Sequence, residues 1–224
     1  MPKRPSSIPD SPAGDAPGGK VALILDAARH LFLEQGFGNT SMDAVAKRAG
    51  VSKATLYVHF ENKERLFAEV VAAARSSLHR SLAAITRDEQ AEPAETLRLI
   101  GQQFLRFVTT PGVLTLFRAV IGETQRFPEL GQTIFQTGSN DMLNMISESI
   151  ARAAARGLLN VPDPKMAAAQ FIALTKSDLH LRCLLEPSFL ASAGDIGRNV
   201  DAAVAMFMSH YGPRPPEPDA ISKT

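Results

Sequence analysis

One short stretch of the chain, residues 52–63, concentrates side chains that can bind phosphates and the edges of bases. Cationic and hydroxyl side chains make many of the contacts to DNA phosphates, and the same types donate hydrogen bonds to base edges in the grooves. The composition of this stretch therefore predicts contact with nucleic acid. The residues concerned are Lys53, Thr55, Tyr57, His59 and Lys63.

Side chains that catalysis or metal binding would require are scattered through the rest of the chain. The single cysteine, Cys183, lies in the apolar segment LHLRCLL, which favours a buried thiol over a nucleophile. Residues 14–20 match the GxxxxGK pattern of a phosphate-binding loop, but Val21 replaces the Ser or Thr that would bind magnesium. We therefore predict no enzyme activity, no cofactor and no metal site. The histidines show no metal-ligand spacing: His30, His59, His79, His180 and His210.

Two short amphipathic helices position the polar stretch, and a tight turn separates them. Thr40 or Ser41 can cap the first helix, and Gly50 ends it. Ser52 can cap the second helix, which runs to about His59. A short link containing glycine between two helices is typical of a helix-turn-helix. The apolar residues predicted to face the small core are Met42, Val45, Ala46, Ala49, Leu56 and Phe60.

Apolar residues recur at helical spacing along almost the whole chain, and the sustained alternation that is typical of strands is absent from the sequence. Gly36 ends the first of these patterns. We therefore predict an all-α fold. The three longest stripes are Val21, Ile24, Leu25, Ala28 and Phe32; Phe67, Val70, Val71, Ala74, Leu78, Leu82 and Ile85; and Ile196, Val200, Ala203, Val204, Phe207 and Tyr211.

Prolines mark the starts of several later helices, because the first helical position needs no N–H and suits the fixed φ of proline. The pairs Thr110-Pro111 and Asp163-Pro164 also contain a side chain that can cap the helix. Phe127-Pro128 and Pro93 open two more. These marks predict five helices after residue 90, preceded by four in residues 20–86.

Both ends of the chain are rich in proline and cannot bury a core, so we expect a disordered arm over residues 1–19 and a disordered tail over residues 212–224. The formal net charge of +1 does not by itself indicate a nucleic-acid-binding protein. No apolar run approaches the roughly 20 residues that a membrane helix needs. The single cysteine suits a reducing compartment, and we expect a cytoplasmic protein that does not enter membranes.

The order of residues from 20 to 68 resembles the DNA-binding domain of TetR-family regulators, with the helix-turn-helix at residues 41–60. Two residues depart from the family pattern: Ala54 replaces a frequent glycine, and Asp43 stands where a basic residue is common. The sequence therefore leaves open whether Met42 or Asp43 contacts DNA. The resemblance rests on Gly36-Phe37, Thr40-Ser41, Val45-Ala46, Ala49-Gly50-Val51-Ser52, Thr55-Leu56-Tyr57, His59-Phe60 and Lys63-Glu64.

The resemblance implies that individual residues of this domain bind double-stranded DNA. Contacts to phosphates are implied for Thr40, Ser41, Tyr57, His59 and Lys63. Positions near base edges in the major groove are implied for Lys53, Ala54 and Thr55. A helical adaptor that has lost DNA binding is an alternative, and the complete polar set of the second helix argues against it.

The remaining helices, in residues 69–211, are predicted to form a ligand-binding and dimerisation domain. Residues 118–138 resemble the C-terminal domain of AefR-like members of the family, a match that defines no ligand. The resemblance to TetR-type proteins implies a cavity here for a small-molecule effector, which we expect to be apolar and whose identity is unknown. Helical bundles bind such ligands in their interiors, although ordinary core packing is the alternative for each residue. The apolar pocket would involve Phe104, Phe107, Leu114, Phe117, Ile121 and Phe171; the polar groups that could orient an effector are Glu123, Gln125, Arg126, His180 and Arg182.

Binding to a palindromic operator requires two recognition helices about 34–36 Å apart, whereas one chain supplies only one. The resemblance implies a homodimer formed through the last two long helices. The predicted contact surfaces are the stripe from Ile196 to Tyr211 on the final helix and, in residues 164–185, the small patch Ala167-Ala168-Ala169 followed by Phe171, Ile172, Leu174 and Leu181. The implied function is that of a repressor which the effector releases from its operator; activation is the alternative.

Overall fold

The computed structural model describes residues 17–88 and 90–213, and within these ranges it contains nine helices and no strand. The prediction of an all-α fold is confirmed. The chain divides into two compact units, Met1–Val70 and Val71–Thr224. The helices are α1 Pro17–Asn39, α2 Met42–Ala49, α3 Lys53–His59, α4 Lys63–Thr86, α5 Pro93–Val108, α6 Pro111–Glu123, α7 Pro128–Ala155, α8 Pro164–Leu185 and α9 Ala193–Tyr211.

Proline and capping residues set the helix ends largely as the sequence predicted. Helices α5 to α8 each begin at a proline. The carboxylate of Asp163 caps α8 by accepting hydrogen bonds from the N–H groups of Lys165 and Met166. The predicted cap at Thr110 is wrong, because its hydroxyl donates to the carbonyl of Arg106, at 2.9 Å, in the preceding helix.

The first helix begins inside the predicted disordered arm, whereas the last helix ends just before the predicted disordered tail. Helix α1 begins at Pro17, inside the arm predicted for residues 1–19, and Lys20 lies within this helix rather than in a phosphate-binding loop. Helix α9 ends at Tyr211, where the predicted helical region ends. The rest of the predicted arm, residues 1–16, and residues 214–224 of the predicted tail lie outside the described residues.

The core of the N-terminal unit is built around three buried phenylalanines. Phe32 stacks on Phe37 with ring centroids 5.8 Å apart, and the edge of Phe67 meets both rings at 4.8 and 5.3 Å. Gly36 interrupts α1 with a φ of 80°, a left-handed conformation that favours glycine. The chain therefore bends immediately before Phe37, which enters the core.

The core of the C-terminal unit lies where α5, α7, α8 and α9 pack together. At Gly101 of α5, an added Cβ would lie 3.0 Å from Cγ1 of Val200 on α9. The absence of a side chain at this position therefore allows the two helices to approach closely. The ring of Phe171 on α8 meets that of Phe207 on α9 edge-on, with centroids 5.8 Å apart.

The apolar stripe of α9 faces this core, and the prediction that it faces a second copy of the chain is wrong. Val200, Val204 and Phe207 are buried within their own unit. Ala167 and Ala168 of α8 are buried in the same way. Hydrophobic periodicity identifies the buried side of a helix but not the element that covers it.

Helix α8 is interrupted at Ser177, which has φ 42° and ψ −143°. Positive φ is uncommon for residues other than glycine, so this backbone conformation is strained. Asn199 of α9 bonds close to the break, since its side-chain amide donates to the carbonyl of Thr175 at 3.2 Å.

No single helix within the described residues is long and apolar enough to cross a membrane. Helices α5 and α6 pass the length and composition test only when taken together, and they are bent by 66° relative to each other. The buried apolar residues of α5, among them Leu97, Ile100 and Phe104, lie in the core of the C-terminal unit.

Candidate nucleic-acid interface

Helices α2 and α3 form a compact helix-turn-helix in which each helix begins at a serine cap. The hydroxyl of Ser41 accepts from the N–H of Ala44 at 3.1 Å, and that of Ser52 accepts from the N–H of Thr55 at 3.0 Å. Gly50 ends α2 in the left-handed conformation, with φ 68°. Only Val51 then separates it from the cap of α3, so the turn is tight.

Helix α3 buries one side and leaves the opposite side open. Leu56 is fully buried and Phe60, just after the helix, is nearly so, which fixes α3 to the N-terminal unit. A helix turns through about 100° per residue, so Ala54 and Val58 lie together on the side opposite Leu56. Both are exposed, and the side chain of Val58 is exposed to 80%.

An ion pair joins the two helices beside this open side. The ammonium of Lys53, the first residue of α3, lies 2.8 Å from a carboxylate oxygen of Asp43 in the first turn of α2. The hydrogen bond that the Lys53 ammonium donates to Asp43 raises the pKa of Lys53, as does the negative charge of Asp43. Lys53 is therefore held as a cation at the edge of α3, close to a carboxylate that solvent reaches.

The hydroxyl groups predicted to bind DNA occupy different positions. The hydroxyls of Ser52 and Thr55 are 2.8 Å apart, so Thr55 supports the cap of α3 and is half-buried. Ser41 is exposed at the start of α2. Thr40 is buried, and its hydroxyl donates to the carbonyl of Gly36 at 2.8 Å. The phosphate contact implied for Thr40 is therefore not available to its hydroxyl in this conformation.

Lys63, at the start of α4, binds backbone carbonyls of its own unit. Its ammonium donates to the carbonyl oxygens of Phe37 at 2.8 Å and Gly38 at 3.3 Å, and lies 4.4 Å from the centroid of the Phe37 ring. The contact with the ring is a cation–π interaction. Lys63 therefore links α4 to the segment that follows the bend in α1.

Tyr57 and His59 are exposed on α3, as a role at the surface requires. The sequence did not single out Val58, although its spacing of four residues from Ala54 indicated the same side of the helix. Met42, which the sequence left open as a DNA contact, is buried, whereas Asp43 is exposed. The open surface of α3 therefore combines an apolar centre with a polar border.

The six residues predicted to line an effector pocket do not share one environment. Phe104, Leu114 and Phe171 lie in the buried core, and Phe107 packs against it. Phe117 and Ile121 are exposed on α6. A cleft elsewhere in the C-terminal unit is lined by none of these six residues; its lining includes Thr86, Thr96, Ser149, Arg152 and Leu159.

Two polar atoms of α8 are buried on either side of the break at Ser177. Oγ1 of Thr175 and Nε2 of His180 have no hydrogen-bond partner among the described residues. The ring of His180 meets the ring of Phe117 edge-on, with centroids 5.7 Å apart. Burial lowers the pKa of His180 below its ordinary value, and the positive charge of Lys176 lowers it further.

His180 should make folding stability depend on pH. Its pKa is lower in the folded chain than the ordinary value of 6.5, so unfolding takes up a proton as the pH falls through that value. We expect the free energy of unfolding to decrease from about pH 7.5 to about pH 5.5, and to decrease less in His180→Gln. Urea denaturation at both pH values measures this difference. The exposed His210→Gln is the control, and equal pH slopes for His180→Gln and the wild type would contradict the assignment.

The capped helix pair and the solvent-facing second helix define a DNA-binding protein of the helix-turn-helix class. Residues 24–70 match a family model described as bacterial regulatory proteins of the tetR family. Residues 95–213 match the C-terminal domain of AefR-like transcriptional repressors. The chain belongs to the TetR family of transcriptional regulators, as the resemblance of its sequence predicted.

Individual relatives agree with this assignment. The HTH-type regulator YhgD of Bacillus subtilis is 30% identical over 65% of this chain and 75% of its own length. The structure of a TetR-family regulator from Mesorhizobium loti has a TM-score of 0.78 and 28% identity, covering 88% of this chain and 98% of that one. The flavonoid-responsive regulator FrrA has a TM-score of 0.72 and 35% identity, covering 88% and 100%.

Proposed function

We propose that this chain is a repressor that binds a palindromic operator as a homodimer and leaves it when a small apolar effector binds. The observation that supports this proposal most directly is the exposed surface of α3 within the capped helix-turn-helix. The match to AefR-like transcriptional repressors supports repression as the direction of control. Residues 20–68 bind DNA in this proposal, and residues 69–211 bind the effector and dimerise.

In this proposal α3 enters the major groove. Val58 and Ala54 form the apolar centre of its open surface and suit contact with thymine methyl groups. Lys53 and Thr55 reach base edges nearby. Backbone phosphates are held by Ser41, Tyr57, His59 and Lys63.

The homodimer uses the sides of α8 and α9 that their own core leaves open. Each helix buries one stripe and still exposes large apolar residues. Exposed apolar surface of this kind is typical of protein interfaces. The residues are Met166, Leu181 and Leu185 on α8 and Met206 on α9.

The effector binds within the helices of the C-terminal unit, near the side of α8 that carries His180. FrrA is named as flavonoid-responsive, which supports an aromatic effector for this chain as well. Phe117 supplies an aromatic ring beside His180, whose buried Nε2 can bond a polar group of the ligand. A ligand that binds the DNA-free state better would weaken operator binding, typically by about 5- to 150-fold.

The experiment that tests DNA binding is a selection from random duplexes, followed by affinity measurements with Ala54→Glu. A carboxylate on the open surface of α3 would face phosphates and base edges, so we expect at least about a tenfold loss of affinity. Ala22→Glu, which changes an exposed alanine of α1, is the matched control. Failure of the wild type to select any palindromic sequence would contradict the proposal.

Replacing Lys63 with alanine should destabilise the N-terminal unit, because its ammonium donates to two backbone carbonyls. Hydrogen bonds that involve a charged group are worth about 1.5–3 kcal/mol, so a loss of this size is expected. Urea denaturation measures the loss, and Lys53→Ala is the exposed control. Unchanged stability together with a weaker salt dependence of DNA binding would instead assign Lys63 to phosphate contact alone.

A further inference from the structure

The ion pair between Asp43 and Lys53 contributes little to the folding stability of the N-terminal unit. The side chains of Lys53 and Asp43 are exposed to 61% and 65%. Ion pairs exposed to this extent contribute little to stability, because water and salt screen the two charges. Helix α3 has its own cap at Ser52, and α2 has Ser41, so neither helix depends on the pair for its first turn.

The position of the pair gives it access to the proposed DNA surface. Lys53 is the first residue of α3, directly before Ala54 in the chain, and its side chain is exposed. Asp43 lies within hydrogen-bonding distance of Lys53, so a duplex that contacts one of these charges would also meet the other. A carboxylate at this point would repel phosphates, whereas it could accept a hydrogen bond from a base amino group.

The chemistry of the two groups fits the major-groove edge of one base pair. Guanine presents two neighbouring acceptors, O6 and N7, and its partner cytosine presents the N4 amino donor. A lysine that donates to guanine beside an aspartate that accepts from cytosine satisfies both bases. In an A·T pair the adenine amino donor lies between two acceptors, N7 and thymine O4, so the carboxylate would face repulsion from both sides.

We propose that Asp43 and Lys53 act together to specify a G·C base pair in each half of the operator. Lys53 donates to O6 and N7 of guanine, and Asp43 accepts from N4 of cytosine while it stays paired with Lys53. This inference rests on the proposed binding of an operator. Asp43 is therefore a determinant of specificity, at a position where the family commonly has a basic residue.

The test compares the base preferences of the wild type with those of Asp43→Ala and Lys53→Met. Each protein selects from the same random duplex library, and affinities are then measured for duplexes in which each G·C pair is changed to A·T. We expect the wild type to prefer G·C at one position in each half-site by about 5- to 140-fold. Both variants should lose that preference and keep the rest of the motif.

A matched control is Glu34→Gln, which removes the acid from the exposed ion pair between Glu34 and Arg48 in the same unit. It should leave every base preference unchanged. If Asp43→Ala and the wild type select the same motif, or if the variant changes affinity equally for all sequences, the inference is overturned. If the wild type selects no motif at all, the proposed operator binding itself fails.

Discussion

Replacing Phe37 with alanine is expected to unfold or severely weaken the N-terminal unit and so to abolish DNA binding. Phe37 is fully buried, contacts the rings of Phe32 and Phe67, and lies beneath the ammonium of Lys63. Loss of a buried phenylalanine costs about 3–5 kcal/mol, and whole domains are stable by only about 5–15 kcal/mol. Urea denaturation and duplex binding by fluorescence anisotropy measure the two effects.

The control for this substitution is Leu23→Ala, which truncates an exposed residue of α1. It should change stability by no more than about 0.5 kcal/mol. A Phe37→Ala protein that keeps both its stability and its DNA affinity would show that the aromatic cluster does not hold the helix-turn-helix in place.

Replacing Met206 with aspartate should separate the proposed homodimer and reduce operator affinity by at least about 100-fold. Met206 is 59% exposed on α9, so the substitution puts a charge into the proposed interface without changing the core of the chain. A monomer presents one recognition helix. Its affinity should therefore fall from the range of specific complexes, about 10⁻⁸ M or tighter, towards that of non-specific ones, about 10⁻⁴–10⁻⁶ M.

Sedimentation velocity measures the oligomeric state, and anisotropy with the selected duplex measures the affinity. Leu181→Asp on α8 tests the other helix in the same way. Leu99→Asp, at an exposed apolar residue of α5, is the control that should remain a dimer. The interface assignment is wrong if both interface variants remain dimers at the concentrations at which the wild type is dimeric.

The sequence predicted those features of the fold that short-range chemistry determines. Proline at a first helical position, a serine cap and a left-handed glycine each act within a few residues. The starts of α5 to α8, the caps at Ser52 and Asp163, and the end of α2 at Gly50 were therefore predictable. Gly36 was predicted to end α1 but only interrupts it, since the helix continues to Asn39. The resemblance to the TetR family could be recognised in the sequence for the same reason, because the helix-turn-helix is a local arrangement of such residues.

Contacts between residues that are distant in the sequence were not predictable. Asp43 and Lys53 are on different helices, and only the packing of α2 against α3 brings their charges together. Lys63 meets a carbonyl 26 residues earlier in the chain. The apolar stripe of α9 correctly indicated which side of the helix is buried. The residues that cover this side belong to the same chain, however, and periodicity alone does not distinguish a core from an interface.

The interruption of α8 at Ser177 has a consequence for the rotational phase of that helix. The buried residues Phe171, Thr175, Leu179 and Cys183 recur every four positions. In an uninterrupted helix of 3.6 residues per turn, such a row drifts by roughly 40° at each step, or about 120° from the first to the last. Ser177 lies in the middle of this row, and its non-helical backbone breaks the regular drift between Thr175 and Leu179 while the residues on both sides of the break stay buried.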